Sequence, residues 1–220
     1  MTPSALADDT PIASAEAERV DGAGLRERKK LETRAALTDA AFVLFARKGF
    51  EDTTVEDIAE VVGVSPRTFH RYFARKDDVV FAEGEVRLER FRARLHDAPA
   101  DTVLGAVRIA AVEAVAEAGV HDRTRAELIA GSPVLRAQNL ERYDEWARVI
   151  SDFAAEATGD EPGGRWPTVL GASAMAALTS ARRRWLADSS VDLRAEYDAV
   201  LDLLEGLDRP VRRAARTAAR

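Results

Sequence analysis

Residues 53–76 read Thr-Thr-Val-Glu-Asp-Ile-Ala-Glu-Val-Val-Gly-Val-Ser-Pro-Arg-Thr-Phe-His-Arg-Tyr-Phe-Ala-Arg-Lys, which predicts two short helices joined by a turn at Gly63. Thr53 or Thr54 is expected to cap the first helix, because a threonine hydroxyl accepts a hydrogen bond from a free backbone N–H. Glu56, three residues after Thr53, could complete a capping box. Gly63 suits a left-handed C-cap, where a side chain would be penalised.

The second helix begins with Ser65 as N-cap and Pro66 at the first helical position, where a missing N–H costs nothing. Phe69 and Phe73 share one face of this helix. The side chains left pointing elsewhere are Arg67, Thr68, His70, Arg71 and Tyr72. Helix–Gly–helix corners occur in many all-α proteins, but hydrogen-bonding side chains concentrated on so short a helix favour a DNA-binding helix-turn-helix.

Composition points to an all-α protein. Alanine, leucine, arginine and glutamate are abundant, and the absence of cysteine excludes disulfides, thiolate zinc sites and cysteine nucleophiles. His70, His96 and His121 show no metal-binding spacing, so we expect no metal and no cofactor. The most apolar stretch, residues 166–181, is too short to span a bilayer, and the acidic N-terminus lacks a signal peptide. We therefore expect a cytoplasmic protein without a membrane partner.

The net charge of −6 is unevenly distributed along the chain. Residues 25–80 carry eleven Lys or Arg against ten acidic residues, whereas the segments on either side are acidic. The basic residues of 25–80 cluster at 26–30 and 67–76. Because local potential steers nucleic acid more than total charge does, this pattern permits DNA binding.

The N-terminal region predicts a tail followed by a helix. Residues 1–24 show no periodicity and predict a disordered tail. A basic run follows at Arg26, Arg28, Lys29 and Lys30, which is either a solvated helix end or an arm against phosphates or in the minor groove. An apolar stripe then predicts a helix over roughly 27–48, ending at Gly49. The predicted core of the resulting three-helix domain, residues 25–75, is Leu37, Ala41, Leu44, Phe45, Phe50, Val55, Ile58, Val62, Val64, Phe69 and Phe73.

A family resemblance runs through this segment. The run Leu-Phe-Ala-Arg-Lys-Gly-Phe-Glu-Asp-Thr-Thr-Val-Glu-Asp-Ile-Ala (44–59) and the run Val-Gly-Val-Ser-Pro-Arg-Thr-Phe-His-Arg-Tyr-Phe-Ala-Arg-Lys-Asp-Asp-Val (62–79) resemble the N-terminal domain of the tetracycline-repressor (TetR) family. The resemblance implies that Arg67 and Thr68 face base edges in the major groove. The residues implied to contact phosphates are Thr53, Thr54, His70, Tyr72 and Lys76. His70 departs from the family, which most often has Tyr there, and its reach is shorter.

The remainder of the chain predicts a larger helical body over residues 76–208, followed by a frayed tail at 209–220. Lys76 opens a helix expected to run to about His96; in the family, this helix links the DNA-binding domain to the body. Further helices are predicted at about 101–118, 123–130, 134–158, 166–187 and 192–207. Segments rich in Gly and Pro, or the run Asp-Ser-Ser, separate them.

The two last helices carry small and apolar residues that allow two interpretations. The residues are Gly171, Ala172, Ala174, Ala177 and Ala181 on one helix, and Leu193, Tyr197, Leu201 and Leu204 on the other. They pack either within one chain or, as the resemblance implies, in a four-helix dimer interface. A two-fold dimer also suits a pseudo-palindromic operator on double-stranded DNA.

Residues 127–146 and the run Arg182-Arg183-Arg184-Trp185 resemble the ligand-binding body of a subgroup thought to sense acyl-CoA-like molecules. A small apolar or acyl-CoA-like effector would then bind between helices. The candidate lining residues are Leu128, Leu135, Leu140, Trp146, Phe153 and Met175, with Arg125 or Arg136 near the mouth for an anion. Each of these could equally be an ordinary core residue or surface arginine.

Three functions follow from these patterns. The favoured one is a ligand-released homodimeric repressor, which requires no catalysis. The second is an acyl-CoA- or lipid-binding helical protein without DNA binding. This interpretation does not explain why Arg67 and Thr68 lie in a well-formed helix-turn-helix. An all-helical enzyme would need a nucleophile–base pair, a metal cluster or a cofactor loop, and the sequence offers none of them.

Overall fold

The computed structural model describes residues 12–117 and 119–205, with side chains from Arg26 onward, and this part of the chain is helical throughout its regular structure. The all-α prediction is therefore confirmed. The chain divides into two compact units, with the boundary in sequence between Val80 and Phe81. The frayed tail predicted at 209–220 lies outside the described residues.

The N-terminal unit contains α1 (Ile12–Lys48), α2 (Val55–Val62), α3 (Pro66–Tyr72) and α4 (Lys76–Val80). Its α1 begins at Ile12, so residues 12–24 of the predicted disordered tail are helical; residues 1–11 are outside the described part. Alanine and glutamate, which are strong helix formers, are frequent there, and propensity outweighs the lack of an apolar stripe.

The core of the N-terminal unit comes from the inner faces of α1, α2 and α3. Most of the predicted core is buried, namely Leu37, Ala41, Phe45, Phe50, Ile58, Phe69 and Phe73. Leu44, Val55, Val62 and Val64 are only half-buried. Phe42 is fully buried although the predicted core omitted it, and its ring meets Phe45 edge-on at a centroid distance of 6.2 Å.

The single helix predicted from Lys76 to about His96 is wrong in extent. The structure has α4 (Lys76–Val80) and α5 (Gly84–Asp97), separated by a turn that the Gly84 N–H closes onto the Phe81 carbonyl at 2.9 Å. Beyond this turn, the Arg142 guanidinium lies 4.1 Å from the centre of the Phe81 ring. That cation–π contact ties Phe81 to the C-terminal unit.

The C-terminal unit is built from α5 and five further helices, and those five agree with their predicted bounds to within about two residues. The five are α6 (Val103–Ala116), α7 (Asp122–Gly131), α8 (Pro133–Thr158), α9 (Arg165–Ala187) and α10 (Leu193–Glu205). Their core joins Phe91 and Leu95 of α5 to Val107, Ile150 and Leu178 of the surrounding helices. Among the helices described, none is both long and apolar enough to cross a membrane.

Much of the predicted interface stripe packs within the chain. Leu193, Tyr197 and Leu201 are buried in the core of the C-terminal unit. Gly171 lies so close to α8 that a Cβ there would fall 2.4 Å from the Ala147 carbonyl oxygen. Periodicity reveals an apolar face of a helix but not which neighbour covers it, so for these residues the intrachain interpretation is correct.

Candidate nucleic-acid interface

The turn between α2 and α3 has the geometry that the sequence predicts. Gly63 lies in the left-handed region at φ 74°, and Val64 donates back to the Ala59 carbonyl at 2.9 Å. Ser65 caps α3 by accepting from the Thr68 N–H at 3.1 Å, with Pro66 at the first helical position. These local bonds fix where α3 starts, and Phe69 and Phe73 fix which face is turned inward.

The outer face of α3 presents a free guanidinium. Arg67 is exposed and, among the residues described, has no hydrogen bond or ion pair. The next residue, Thr68, is half-buried, and its hydroxyl lies 3.0 Å from that of Ser65. An unpartnered Arg on a recognition helix is available for bidentate pairing with guanine.

A second polar cluster joins α3 to α1. The Arg71 guanidinium donates to the Tyr72 hydroxyl at 3.3 Å and lies 5.1 Å from its ring centre. Hydrogen bonding from Arg71, followed by bonding to Thr33 and the charge of Lys30, lowers the pKa of Tyr72 despite partial desolvation. Lys30 and Thr33 of α1 therefore lie near Arg71 and Tyr72, and the Lys30 ammonium also donates to Glu27 at 3.3 Å. We call Lys30, Thr33, Arg71 and Tyr72 the phosphate patch, after the group that we propose it binds.

The basic run at the start of α1 and Tyr72 lie far apart in sequence, and the sequence alone does not connect them. Lys30 and Thr33 belong to α1, about forty residues before Tyr72 in sequence, and only the folded unit brings them together. The available signal was the (i, i+3) spacing of these two residues, which places them on one face of α1.

Thr54 occupies the N-cap of α2 in a reciprocal capping box with Asp57, not with Glu56. The Thr54 hydroxyl accepts from the Asp57 N–H at 3.1 Å, and the Thr54 N–H donates to the Asp57 carboxylate at 2.8 Å. That N–H is therefore engaged, whereas the hydroxyl hydrogen takes no part in the capping box. Lys48 lies 2.6 Å from the same carboxylate and offsets its charge.

Two residues implied to contact phosphates are held inside the unit instead. Thr53 is buried, and its hydroxyl donates to the Gly49 carbonyl at 2.7 Å. Lys76 directs its ammonium at the carbonyls of Phe50, Glu51 and Thr53, at 2.7, 3.1 and 3.0 Å. An ammonium has three N–H donors, and all three are used here. Both side chains form hydrogen bonds that stabilise the turn between α1 and α2, and their polar groups do not point into solvent.

His70 is exposed, but one of its nitrogens is engaged. Nδ1 lies 3.2 Å from the Ala74 carbonyl oxygen, which can only accept. In the neutral ring Nδ1 then carries the proton, and Nε2 is left as an acceptor that cannot donate to a phosphate. In that tautomer, His70 offers no outward donor of the kind that a tyrosine hydroxyl would offer at this position.

The predicted ligand residues of the C-terminal unit differ in how far they are buried. Leu135 is fully buried, and Arg125 is buried beside Asp122 and Glu83. Leu128 and Met175 are half-buried. Among the predicted ligand residues, Trp146 lines a small cleft of this unit whose other walls are largely arginine and glutamate.

Comparisons with known proteins match both units. The family model of the bacterial regulatory proteins of the tetR family covers residues 37–82, and the model described as the MftR C-terminal domain covers residues 97–207. The transcriptional regulator TcmR of Streptomyces glaucescens is 34% identical over 200 residues, which is 84% of this chain and 88% of TcmR.

Two further proteins are similar over most of the chain. The mycofactocin biosynthesis transcriptional regulator MftR of Mycobacterium tuberculosis is 29% identical over 187 residues, covering 83% of this chain and 94% of MftR. The crystal structure of Thermus thermophilus FadR, a repressor in complex with lauroyl-CoA, has a TM-score of 0.56 at 24% identity. It covers 84% of this chain and all of FadR.

Proposed function

Since the chain belongs to the TetR family of DNA-binding transcriptional regulators, and is therefore not an enzyme, we propose that it is a homodimeric repressor released from its operator by a small ligand. As a DNA-binding regulator, it is proposed to act in the cytoplasm. Operator binding, dimerisation and ligand release are separate steps, and each has its own support.

Operator binding is supported mainly by Arg67, which is exposed and unpartnered within the described part of the chain. The phosphate patch of Lys30, Thr33, Arg71 and Tyr72 involves the same helix, α3. In a helix-turn-helix, the recognition helix enters the major groove while flanking groups hold the backbone. Arg67 is placed to read a base, and the phosphate patch to fix the register without reading sequence. Thr54 supplies a further hydroxyl at the start of α2.

Dimerisation is supported by an outward apolar face on α9 and α10. Trp166 and Val169 of α9 are 49% and 64% exposed, and Leu203 of α10 is 62% exposed. Ala172 and Ala176 continue this face on α9. A paired copy would cover it, and two-fold pairing would present two recognition helices to the half-sites of a pseudo-palindromic operator.

Ligand release follows from differential affinity: a ligand that binds the non-operator conformation more tightly shifts the population toward it. A fold of this kind accommodates lauroyl-CoA in Thermus thermophilus FadR. We therefore propose a small apolar or acyl-CoA-like effector for the C-terminal unit. This ligand class also covers the alternative of a lipid-binding protein, but that alternative does not account for a family of DNA-binding regulators.

Selection of bound sequences from a random duplex pool tests the proposal. The purified protein should enrich two related half-sites in inverted orientation. Arg67→Ala should lose about 1–3 kcal/mol of preference for that sequence over scrambled DNA while keeping most non-specific affinity. Selection without any consensus, or an Arg67→Ala variant with unchanged discrimination, would contradict sequence-specific binding through α3.

Arg71→Ala is the matched comparison, because Arg71 is exposed on the same short helix four residues later. It should weaken binding to every duplex, and the slope of log affinity against log salt should become shallower by about one. If Arg71→Ala instead changed the selected consensus, Arg71 would be a base-reading residue and not part of the phosphate patch.

A further inference from the structure

A small cleft in the C-terminal unit runs along one face of α5. Arg87, Arg90 and Arg94 line it at (i, i+3, i+7) spacing, and Trp146 of α8 forms an apolar wall. Glu83 and Glu117 complete its charged lining. The cleft has a volume of about 50 Å³, which is room for about four water-sized groups.

The three arginines differ in how far their charge is already compensated. Arg94 forms ion pairs with Glu113, at 3.7 Å, and with Glu117. Arg87 donates to the Asp122 carboxylate at 2.9 Å. Arg90 is exposed and, within the described part of the chain, has neither an ion pair nor a hydrogen bond. Hydrogen bonding from Arg94 lowers the pKa of Glu117, and the charge of Arg90 lowers it further, though more weakly.

Behind the cleft, positive charge also exceeds negative charge. The buried carboxylate of Asp122 is shared by three guanidinium groups, with Arg87 at 2.9 Å and both Arg125 and Arg182 at 3.7 Å. Glu83 reaches Arg125 only at 3.6 Å and is itself exposed. Burial, and then the neighbouring Arg87, lower the pKa of Arg125, as expected where cations outnumber their counter-ions.

We infer that this cleft binds the anionic head of the effector, a carboxylate or phosphate group, between Arg87 and Arg90. The inference rests on the proposed function, because it assumes that the C-terminal unit receives a small ligand. Arginine presents several N–H donors in a planar fork that matches both oxyanions. Arg90 supplies the unused donors, and Arg87 divides its donors between the ligand and Asp122.

The dimensions of the cleft limit what enters it. A volume for about four water-sized groups admits one oxyanion but not a whole nucleotide. Trp146 packs against Phe91 with ring centroids 5.0 Å apart, so its exposed part offers an apolar surface next to the charged one. The arginines therefore hold the anionic head group by charge, and Trp146 contacts the apolar atoms of the ligand next to it.

Anion binding in the cleft can be measured by the fluorescence of Trp146. In the Trp166→Phe/Trp185→Phe protein, Trp146 is the one remaining tryptophan, and its fluorescence reports on the cleft. Sodium phosphate and sodium acetate are titrated separately at constant ionic strength, with sodium chloride as the balancing salt. A saturable fluorescence change with one of them supports the inference and identifies which oxyanion the cleft prefers. No saturable change with either would overturn it.

Variants on α5 decide whether Arg90 is responsible. Arg90→Met should raise the half-saturating anion concentration by about tenfold, and Arg90→Lys should restore part of the affinity. Arg92→Met is the control, since Arg92 lies two residues away on α5, is exposed and pairs with Glu89 at 2.9 Å. An equal loss in Arg92→Met would reduce the effect to general surface charge and overturn the site.

Operator binding is measured on the same variants without added anion. Arg90→Met should bind the operator like the parent, because Arg90 belongs to the C-terminal unit. If anion binding fails while operator binding and its release by an effector persist, this inference is wrong and the proposed function stands. If the anion binds as described but no effector releases the operator, the proposed release is wrong and the anion site stands.

Discussion

The ammonium of Lys76 lies 2.7 Å from the carbonyl oxygen of Phe50, twenty-six residues earlier, and 4.5 Å from the centre of the Phe50 ring. Two more carbonyls, of Glu51 and Thr53, complete its hydrogen bonding. The first residue of α4 is thereby fastened to the turn that leads into α2. Lys76 thus helps to stabilise the turn between α1 and α2.

Lys76→Met should therefore destabilise the N-terminal unit by about 2 kcal/mol, since the charged donor serving three carbonyls is lost. The midpoint of urea unfolding should fall, while the salt dependence of DNA binding should keep its slope. Lys29→Met is the control for stability, because Lys29 is exposed on α1. Unchanged stability with a slope shallower by about one would instead assign Lys76 to a phosphate, as the family resemblance implies.

The helix-turn-helix could be predicted closely because the residues that cap its helices and form its turn act locally. Gly63, Ser65 and Pro66 act within four residues of their own positions, so their roles can be read directly from sequence. The partners of Lys76 are more than twenty residues away, and nothing in the sequence marks a carbonyl as an acceptor. The same limit concealed the phosphate patch, which unites α1 with α3.

In the C-terminal unit, the bounds of the helices were predictable but their buried faces were not. Tyr197 and Leu201 form an apolar stripe that suits either an intrachain core or a dimer, and only packing assigns them to the core. Arg125 was expected at the mouth of an apolar cleft, yet it is buried against Asp122. Which arginines converge depends on how α5, α7 and α9 are arranged, and helical periodicity does not contain that information.

Asp57 should make the stability of the N-terminal unit depend on acid. Hydrogen bonding from Lys48, then from the backbone and side chain of Thr54, lowers its pKa from 3.8 to about 2. A carboxyl group with a depressed pKa in the folded state stabilises the protein above its unfolded pKa. That contribution should be lost as the pH falls from about 4 to about 2.

Asp57→Asn should unfold at a lower urea concentration than the parent at neutral pH, and the two midpoints should converge as the pH approaches about 2. Glu60→Gln removes an exposed negative charge from the same helix and serves as the control. A difference between parent and Asp57→Asn that stays constant over this range would show that the carboxylate charge has no part in the cap.

Leu203→Glu should separate the proposed dimer, because it places a charge on the outward apolar face of α10. Sedimentation velocity at micromolar concentration should show a dimer for the parent and a monomer for the variant. Leu140→Glu is a close control, since Leu140 on α8 is also 62% exposed but lies outside α9 and α10. A monomeric parent protein, or equal dissociation in both variants, would remove the support for an interface on this face.

Asp122 offers a test of the charge cluster in the C-terminal unit. Burial would raise the pKa of its carboxyl group, but Arg182 and Arg87 outweigh that effect and lower it. The carboxylate is therefore charged, and it is the buried counter-ion that three guanidinium groups share. Asp122→Asn preserves the shape and removes the charge, leaving these cations to repel one another.

We expect Asp122→Asn to lower the free energy of unfolding by about 3 kcal/mol, the range for breaking a buried ion pair. Glu127→Gln, on the same helix, breaks the more exposed pair with Arg123 and should cost less than about 1 kcal/mol. Added phosphate should restore part of the stability of Asp122→Asn, because an anion in the cleft replaces the missing charge at Arg87. Two variants of equal, small effect would mean that solvent already screens the cluster, so its arginines would have no need of a ligand anion.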